Sequence, residues 1–234
     1  MKFTKKGEVV MSNFLRIIIG VLLFISTNSL ADSSDKFYIK TGVNLNRTIS
    51  SDIKYRDDDG YSDNLGMGAK NYGSFTLGVG YKITSFYNIE ALFQYTPEFK
   101  FRDELMNIEH SALILNNIIS IPELIDAKWP IKPYVGLGLG FARYDFNVKY
   151  PEHLEAIDDY VNVNAKNSGT NFVWKATVGA VYPITKSIDL DLSYSYGDYG
   201  NLKSKRFSKE YETTDRFSYD LKANELFLGL RYKF

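Results

Sequence analysis

The residues that could do chemistry are few. The 234-residue chain has no cysteine and two histidines. That excludes disulfides, thiolate metal sites and cysteine nucleophiles, and argues against a multi-histidine metal centre. His110 and Ser111 are adjacent. In a strand, neighbouring side chains point to opposite faces, so this pair makes no nucleophile–base dyad. His153 falls in a polar stretch that reads as a loop, and no G-x-S-x-G elbow occurs. The run Asp57-Asp58-Asp59-Gly60 offers oxygen ligands of the kind calcium takes. It lacks the D-x-D-x-D-G spacing and the distal Glu, and so reads as a solvated acidic loop. The chain is therefore read as a non-enzyme with no cofactor and no metal.

Charge and aromatic residues are more informative. Lys203, Lys205, Arg206 and Lys209 surround Phe207, a cluster suited to lipopolysaccharide phosphates or an acidic glycan, with Glu210, Glu212 and Asp215 close enough to neutralise it. Tyr144, Phe146, Tyr150 and Tyr160 lie among Asp and Glu; they are either anchors for a protein partner or a cover for a rim. Lys40, Glu90, Lys175, Asp189, Asp191, Arg231 and Lys233 stand at alternating positions among Gly, Ser, Thr and Asn. With 28 basic and 28 acidic residues the chain has no cationic excess, and nucleic acid is not an expected partner.

The elements that must position these residues are strands. Tyr (18) and Phe (16) are abundant and favour β structure. Period-2 patterning recurs in eight segments. In the first, Phe37, Ile39, Thr41, Val43 and Leu45 oppose Tyr38, Lys40, Gly42, Asn44 and Asn46. The others begin near Ser74, Asn88, Ile108, Val135, Phe172, Ile188 and Leu226; the fourth, 108–121, is apolar in both phases and leaves its facing open. The face opposite the bulky residues is dominated by Gly, Ser, Thr and Asn. It suits the filled lumen of a small barrel better than a water-facing surface rich in Lys and Glu. The bulky face is then lipid-facing. Long polar connections at about 48–71, 97–107, 148–170 and 200–218 alternate with compact ones at 82–87, 122–131 and 183–186. This predicts an all-β, eight-stranded antiparallel transmembrane barrel with four long extracellular loops and three short periplasmic turns. Tyr38, Tyr81, Tyr95, Tyr134, Tyr182, Tyr194, Tyr196 and Tyr232 near strand ends are expected in interfacial girdles. The inward charges are expected to pair, Lys40 near Arg231 or Lys233, and Asp189 or Asp191 near Lys233 or Arg231, plugging the lumen.

The first residues read as an address. Lys2, Lys5, Lys6 and Arg16 precede an apolar run from Ile17 to Ile25 and small residues at Ser29 and Ala31, the pattern of a secretory signal over 1–31 cleaved between Ala31 and Asp32. Met11 is an alternative start. Residues 32–234 then form a single domain.

The chain closes on Leu226, Leu228, Leu230, Tyr232 and Phe234, an alternation that resembles the signal read by the barrel-assembly machinery. Lys132-Pro133-Tyr134-Val135-Gly136-Leu137-Gly138-Leu139-Gly140 and Tyr194-Ser195-Tyr196-Gly197-Asp198-Tyr199-Gly200 resemble strand motifs of the small OmpA/OmpX-like, opacity-type surface proteins, and within them the rickettsial adhesin candidates. The resemblance implies an outer-membrane location and contact with outer-membrane lipid and lipopolysaccharide. It also implies a surface adhesin that binds host-cell proteins through its loops. The alternatives are a structural barrel without specific ligand and a small low-conductance pore.

Overall fold

The structure, a computed structural model, describes residues 36–49, 52–56, 62–101, 105–154, 159–204 and 216–234. The strands in chain order are β1 (Phe37–Thr48), β2 (Asp52–Arg56), β3 (Ser62–Gly66), β4 (Asn71–Lys82), β5 (Tyr87–Phe101), β6 (Met106–Ser120), β7 (Lys132–Leu154), β8 (Asp159–Pro183), β9 (Ile188–Lys203) and β10 (Arg216–Lys233). A one-turn helix, α1 (Ile121–Leu124), lies between β6 and β7. β1 pairs with both β4 and β10, and the order β1-β4-β5-β6-β7-β8-β9-β10 closes into an antiparallel barrel of eight strands. β2 and β3 form a hairpin outside that count; β2 adds to β10 at Arg216–Ser218, above the end of the β1 ladder.

Closure fixes which alternate residues face inward, but what they are changes along the barrel. Near the short turns, β7 turns Val135, Leu137, Leu139 and Phe141 outward, and its inward positions are Gly136, Gly138, Gly140 and Ala142. Beyond Ala142 the same strand reverses. Arg143, Asp145, Asn147 and Lys149 face out, and Tyr144, Phe146 and Val148 are buried inside. β10 does the same in the opposite chain direction: Leu226, Leu228, Leu230 and Tyr232 are exposed apolar residues, whereas Phe217, Tyr219, Leu221 and Ala223 are buried behind Arg216, Ser218, Asp220 and Lys222. The lower half is a lipid-facing barrel with a polar lumen. The upper half carries its apolar residues inward and its polar residues to water, as a soluble domain does.

Two bulges accompany the change. The β5–β6 ladder slips between Thr96 and Phe99, around Pro97, which has no N–H to give. The β9–β10 ladder slips between Asp220 and Lys222, opposite Tyr199 and Gly200. Gly200 adopts φ +77°, a left-handed conformation that suits glycine at a bulge. After it the buried positions of β9 shift from Tyr199 to Leu202. The β8–β9 ladder stops at Trp174↔Asp198; above it Asn171 Nδ2 donates to the carbonyls of Tyr199 and Asn201, each at 3.0 Å.

Three sequence expectations need correction. The segments around 97–107 and 148–170 are mostly strand, because the alternation continues there with reversed polarity. Part of the first long connection is the β2–β3 hairpin, whose Ile53 is fully buried in the upper core. Tyr38 and Tyr134 are not girdle residues: both point into the lumen and are about 2–3% exposed. Tyr81, Tyr182, Tyr194 and Tyr232 do face outward. The fourth segment is settled as well, with Ile108, Ile114 and Ile118 inward and Leu113 and Leu115 outward.

Inward glycines make the space that rings occupy. A Cβ on Gly80 would sit 2.1 Å from the Tyr38 ring, and one on Gly179 would sit 2.5 Å from that of Tyr134. Gly140 approaches backbone instead, with Leu113 O 2.0 Å from its would-be Cβ. Gly140→Val should therefore cost more than the about 1–3 kcal/mol typical of overpacking and lower the folded fraction seen as heat-modifiable gel mobility. Folding equal to that of the unaltered chain would show that the β6–β7 wall can spread.

Candidate functional site

The lumen contains two charged layers. In the lower one, Lys40 Nζ lies 2.8 Å from Asp191 and 3.5 Å from Glu90, and Arg231 lies 2.6 Å from Asp191 and 3.2 Å from Glu90. Two cations from the closing strands β1 and β10 thus alternate with two carboxylates from β5 and β9. Lys40 and Arg231 are register partners, so their like charges meet unless carboxylates stand between them. Tyr38 donates to Glu90 and Tyr134 to Asp191, each at 2.8 Å. The Arg231 guanidinium also stacks 5.1 Å from both tyrosine rings. Nearer the turns, Lys233 pairs with Asp189 at 2.7 Å.

The second layer joins Lys175 to Glu225 at 2.5 Å. Gln94 accepts from Lys175 at 2.9 Å and donates towards Glu225 at 3.3 Å and Ser74 at 3.2 Å. Tyr199 donates to the other oxygen of Glu225. Between the layers, Asn44 donates to Thr76 at 2.8 Å, and Thr177 and Ser195 share a 2.9 Å bond. Glu225 was not singled out in the sequence, because the eighth apolar alternation starts one residue later at Leu226. Its parity with Phe227, Gly229 and Arg231 is the signal that locates it.

Above the second layer the interior is mostly apolar. Phe99, Phe101, Met106, Ile108, Tyr144, Phe146, Leu202, Phe217 and Leu221 form one buried cluster. Tyr144 and Phe146 are therefore core residues, 6% and 0% exposed, and not surface anchors. The reason is parity: they continue the inward row of Gly136 to Ala142 past the point where polarity reverses. His110 also faces inward, 2% exposed, between Tyr72 and Tyr199 rings, while Ser111 faces the other side of the strand. Among the described residues no group of three or more His, Cys, Asp or Glu could hold a metal.

Other candidate residues lie apart from this interior. Lys203 is exposed at the end of β9, its amide 3.4 Å from the Tyr144 hydroxyl. Lys205, Arg206, Phe207 and Lys209 lie outside the described residues, as do Ala31 and Asp32 of the expected cleavage site. Tyr150 and Tyr160 are placed by backbone alone, on β7 opposite Val163 and on β8 opposite His153. Leu226, Leu228, Leu230, Tyr232 and Phe234 form an exposed outward row on the last strand and its end.

At the turn end, a cavity of about 100 Å³ opens between Lys82, Ser120, Glu123, Lys132, Asp189 and Lys233. Glu123, on α1, receives hydrogen bonds from Ser120 and, at 2.5 Å, from Lys132. Partial burial raises its carboxyl pKa, but the bonds from Lys132 and Ser120 outweigh this, and the group sits below its ordinary value of 4.5. A depressed carboxyl stabilises the fold above its unfolded pKa and loses that contribution as pH falls through the folded one. Protection of the amides over 121–132, taken relative to the intrinsic exchange rate at each pH, should thus fall as pH drops below the ordinary value of 4.5, and Glu123→Gln should remove the dependence; an unchanged profile in the variant would assign it elsewhere. In the lumen, Lys175→Met strands the Glu225 carboxylate and should cost about 3–5 kcal/mol in urea unfolding. Adding Glu225→Gln should recover most of it; no recovery would mean that the pair is not the coupled unit.

The comparisons agree with this architecture. Neisserial surface protein A superposes with a TM-score of 0.52 at 18% identity, covering 85% of this chain and 97% of that one. OprG of Pseudomonas aeruginosa gives 0.58 at 14%, covering 86% and 97%. Likeness at such identities concerns the fold alone. Among sequences, the outer membrane protein PagN of Salmonella typhimurium is 30% identical over 104 residues, 44% of this chain and 42% of PagN, so the match spans less than half of that relative. The adhesin candidate RC1281 of Rickettsia conorii is 22% identical over 219 residues, 88% of this chain and 86% of its own. The family described as outer membrane protein beta-barrel domain matches residues 17–234. A closed barrel with a lipid-facing lower band, a charge-filled lumen and that family match makes this chain a member of the outer membrane protein beta-barrel domain family, located in the outer membrane.

Proposed function

We propose that this barrel is a surface adhesin that binds host-cell proteins with the part that stands above the membrane. The observation that supports this reading is the reach of the β7–β8 hairpin. β6 leaves β7 at Met106↔Val148, and β9 leaves β8 at Trp174↔Asp198, yet the β7–β8 ladder continues to Leu154↔Asp159. A hairpin carried that far beyond its neighbours presents strand edges to which an extended segment of another protein can add. Its base is held by the apolar upper core through Tyr144, Phe146, Val148 and Ala165, so the edge is presented from a fixed platform. Its outer face carries Arg143, Lys149, Lys166 and Thr170, polar groups suited to a wet contact. The likeness to a rickettsial protein described as an adhesin candidate points the same way. In this reading the mature chain starts at Asp32, the outward row ending at Phe234 serves the barrel-assembly machinery, and lipopolysaccharide surrounds the lower band.

The test is binding of the refolded chain to cultured host cells, measured by flow cytometry. It is set beside a variant in which residues 149–164 are replaced by Asn-Gly, joining Val148 to Ala165. Heat-modifiable mobility checks that both fold. Binding should be saturable and at least tenfold weaker in the shortened chain. Equal binding by the two, or none by either, would overturn the proposal.

A further inference from the structure

The outer wall carries a row of polar side chains that is joined at its two ends and not in the middle. It crosses β5 to β8 above the apolar band. Tyr95 on β5 donates to Glu109 Oε1 on β6 at 3.0 Å. Ser168 on β8 donates to Asp145 Oδ1 on β7. Glu109 and Asp145 are register partners, so the two carboxylates stand opposite each other across the β6–β7 ladder. Like charges so placed destabilise a ladder. Arg143 faces out two residues before Asp145, and Lys166 faces out on β8 opposite Asn147. Among the described residues neither of them forms an ion pair with Glu109 or Asp145. Lys100, on β5 opposite Asn107, is engaged by another partner.

One step further up the same two strands, Asn107 and Asn147 are register partners as well. Ile108 and His110 turn inward, so Asn107 shares the outer face with Glu109. Asn107 is nonetheless only 7% exposed, and its Oδ1 is buried with no hydrogen-bond partner among the described residues. The Oδ1 of Asn147, beside Asp145 on the outer face of β7, is in the same condition. Burying an amide oxygen without a partner is unfavourable. Two carboxylates that repel and two amide oxygens that lack donors therefore lie together. Their Cβ atoms mark a rectangle about 5 Å across the strands and about 7 Å along them. An ion near its centre is within reach of all four side chains through oxygen bonds of about 2.4 Å.

We propose that Asn107, Glu109, Asp145 and Asn147 bind one calcium ion. Glu109 and Asp145 each supply the carboxylate oxygen that Tyr95 and Ser168 leave to them, and the asparagines supply their amide oxygens. A donor set made only of oxygen, two charged and two neutral, suits a hard divalent cation. Calcium takes six to eight ligands in flexible geometry and completes its shell with water, whereas magnesium demands a closer octahedron than a flat strand pair offers. The place is no cluster of three acidic or histidine groups, because amides make up half of it. It lies on the last rungs of the β6–β7 ladder, which ends at Met106↔Val148, and so at the foot of the extended β7–β8 hairpin. A bound ion ties β6 to β7 at that foot.

The full chain would be refolded into phosphatidylcholine nanodiscs, stripped of metal with a chelator, and titrated with calcium chloride by calorimetry against empty nanodiscs. One ion should bind per chain, with a Kd of about 10⁻⁴–10⁻³ M, the range of extracellular calcium modules. Glu109→Gln/Asp145→Asn should weaken binding at least tenfold, and so should Asn107→Ala/Asn147→Ala, each with unchanged heat-modifiable mobility. Asn147→Asp, which adds a charge to the donor set, should tighten binding at least threefold. The proposal is overturned if the folded parent binds no calcium at millimolar concentration, or if the carboxylate variant binds as the parent does. Undiminished binding by the asparagine variant would mean that calcium only screens two acids, and also overturns it, as does an Asn147→Asp chain that binds no more tightly. Should the asparagine double variant fail to fold, the other two variants decide by the same outcomes.

Discussion

Everything in this molecule depends on the closure of β1 against β10, from Tyr38↔Lys233 to Thr48↔Ala223. An open sheet has two faces and two edges to hide; a closed one has an inside and an outside, and every side chain is assigned to one of them by parity. In hydrocarbon the outside must be apolar, and the backbone must satisfy its own hydrogen bonds. In water above the membrane the same outside must be polar. The chain meets both demands on single continuous strands by exchanging the residue types of its two rows near Ala142 on β7 and near Glu225 on β10.

The exchange explains what could and could not be read from the amino-acid sequence. The lower band was legible, since bulky-out and small-in alternation is unambiguous in Val135–Phe141 and Leu226–Tyr232. The inward charges were legible from the same parity. The upper half was not, because a stretch such as Arg143–Lys149 also alternates, but with apolar residues on the row that had carried glycine. Read with the lower half's rule, Tyr144 and Phe146 look like aromatic residues in a polar loop. Tyr38 reads as an interface residue for a related reason: it stands near a strand end, and only its parity with Lys40 turns it inward. The β6 segment 108–121 is apolar on both rows because it passes through both halves, contributing Ile108 to the upper core and Leu113 to the lipid face. Glu225 stands where the rows exchange, and so falls outside either pattern.

The lumen is held by charges in place of an apolar core. Burying an ion costs several kcal/mol unless partners and hydrogen bonds replace water. Here Glu90 and Asp191 each touch two cations and a tyrosine hydroxyl. Such pairing does less for net stability than for uniqueness. A one-residue slip of β10 against β1 would turn Arg231 towards lipid and leave Asp191 with one cation, so the network defines the register in which the barrel closes. Among the described residues the backbone pairing of the wall ends early between β4 and β5, at Phe75↔Tyr95, and between β8 and β9, at Trp174↔Asp198.

The apolar upper core also gives the molecule two thermal characters. The cluster around Phe99, Phe146 and Phe217 is assembled by water, and its exposure carries a positive heat capacity. The lipid band exchanges one apolar environment for another and carries little. Cooling therefore weakens the upper half while leaving the embedded half almost untouched, and excluded osmolytes strengthen the first without affecting the second. The part of the protein that stands in water is thus the part whose rigidity follows temperature and solute, on a base that does not.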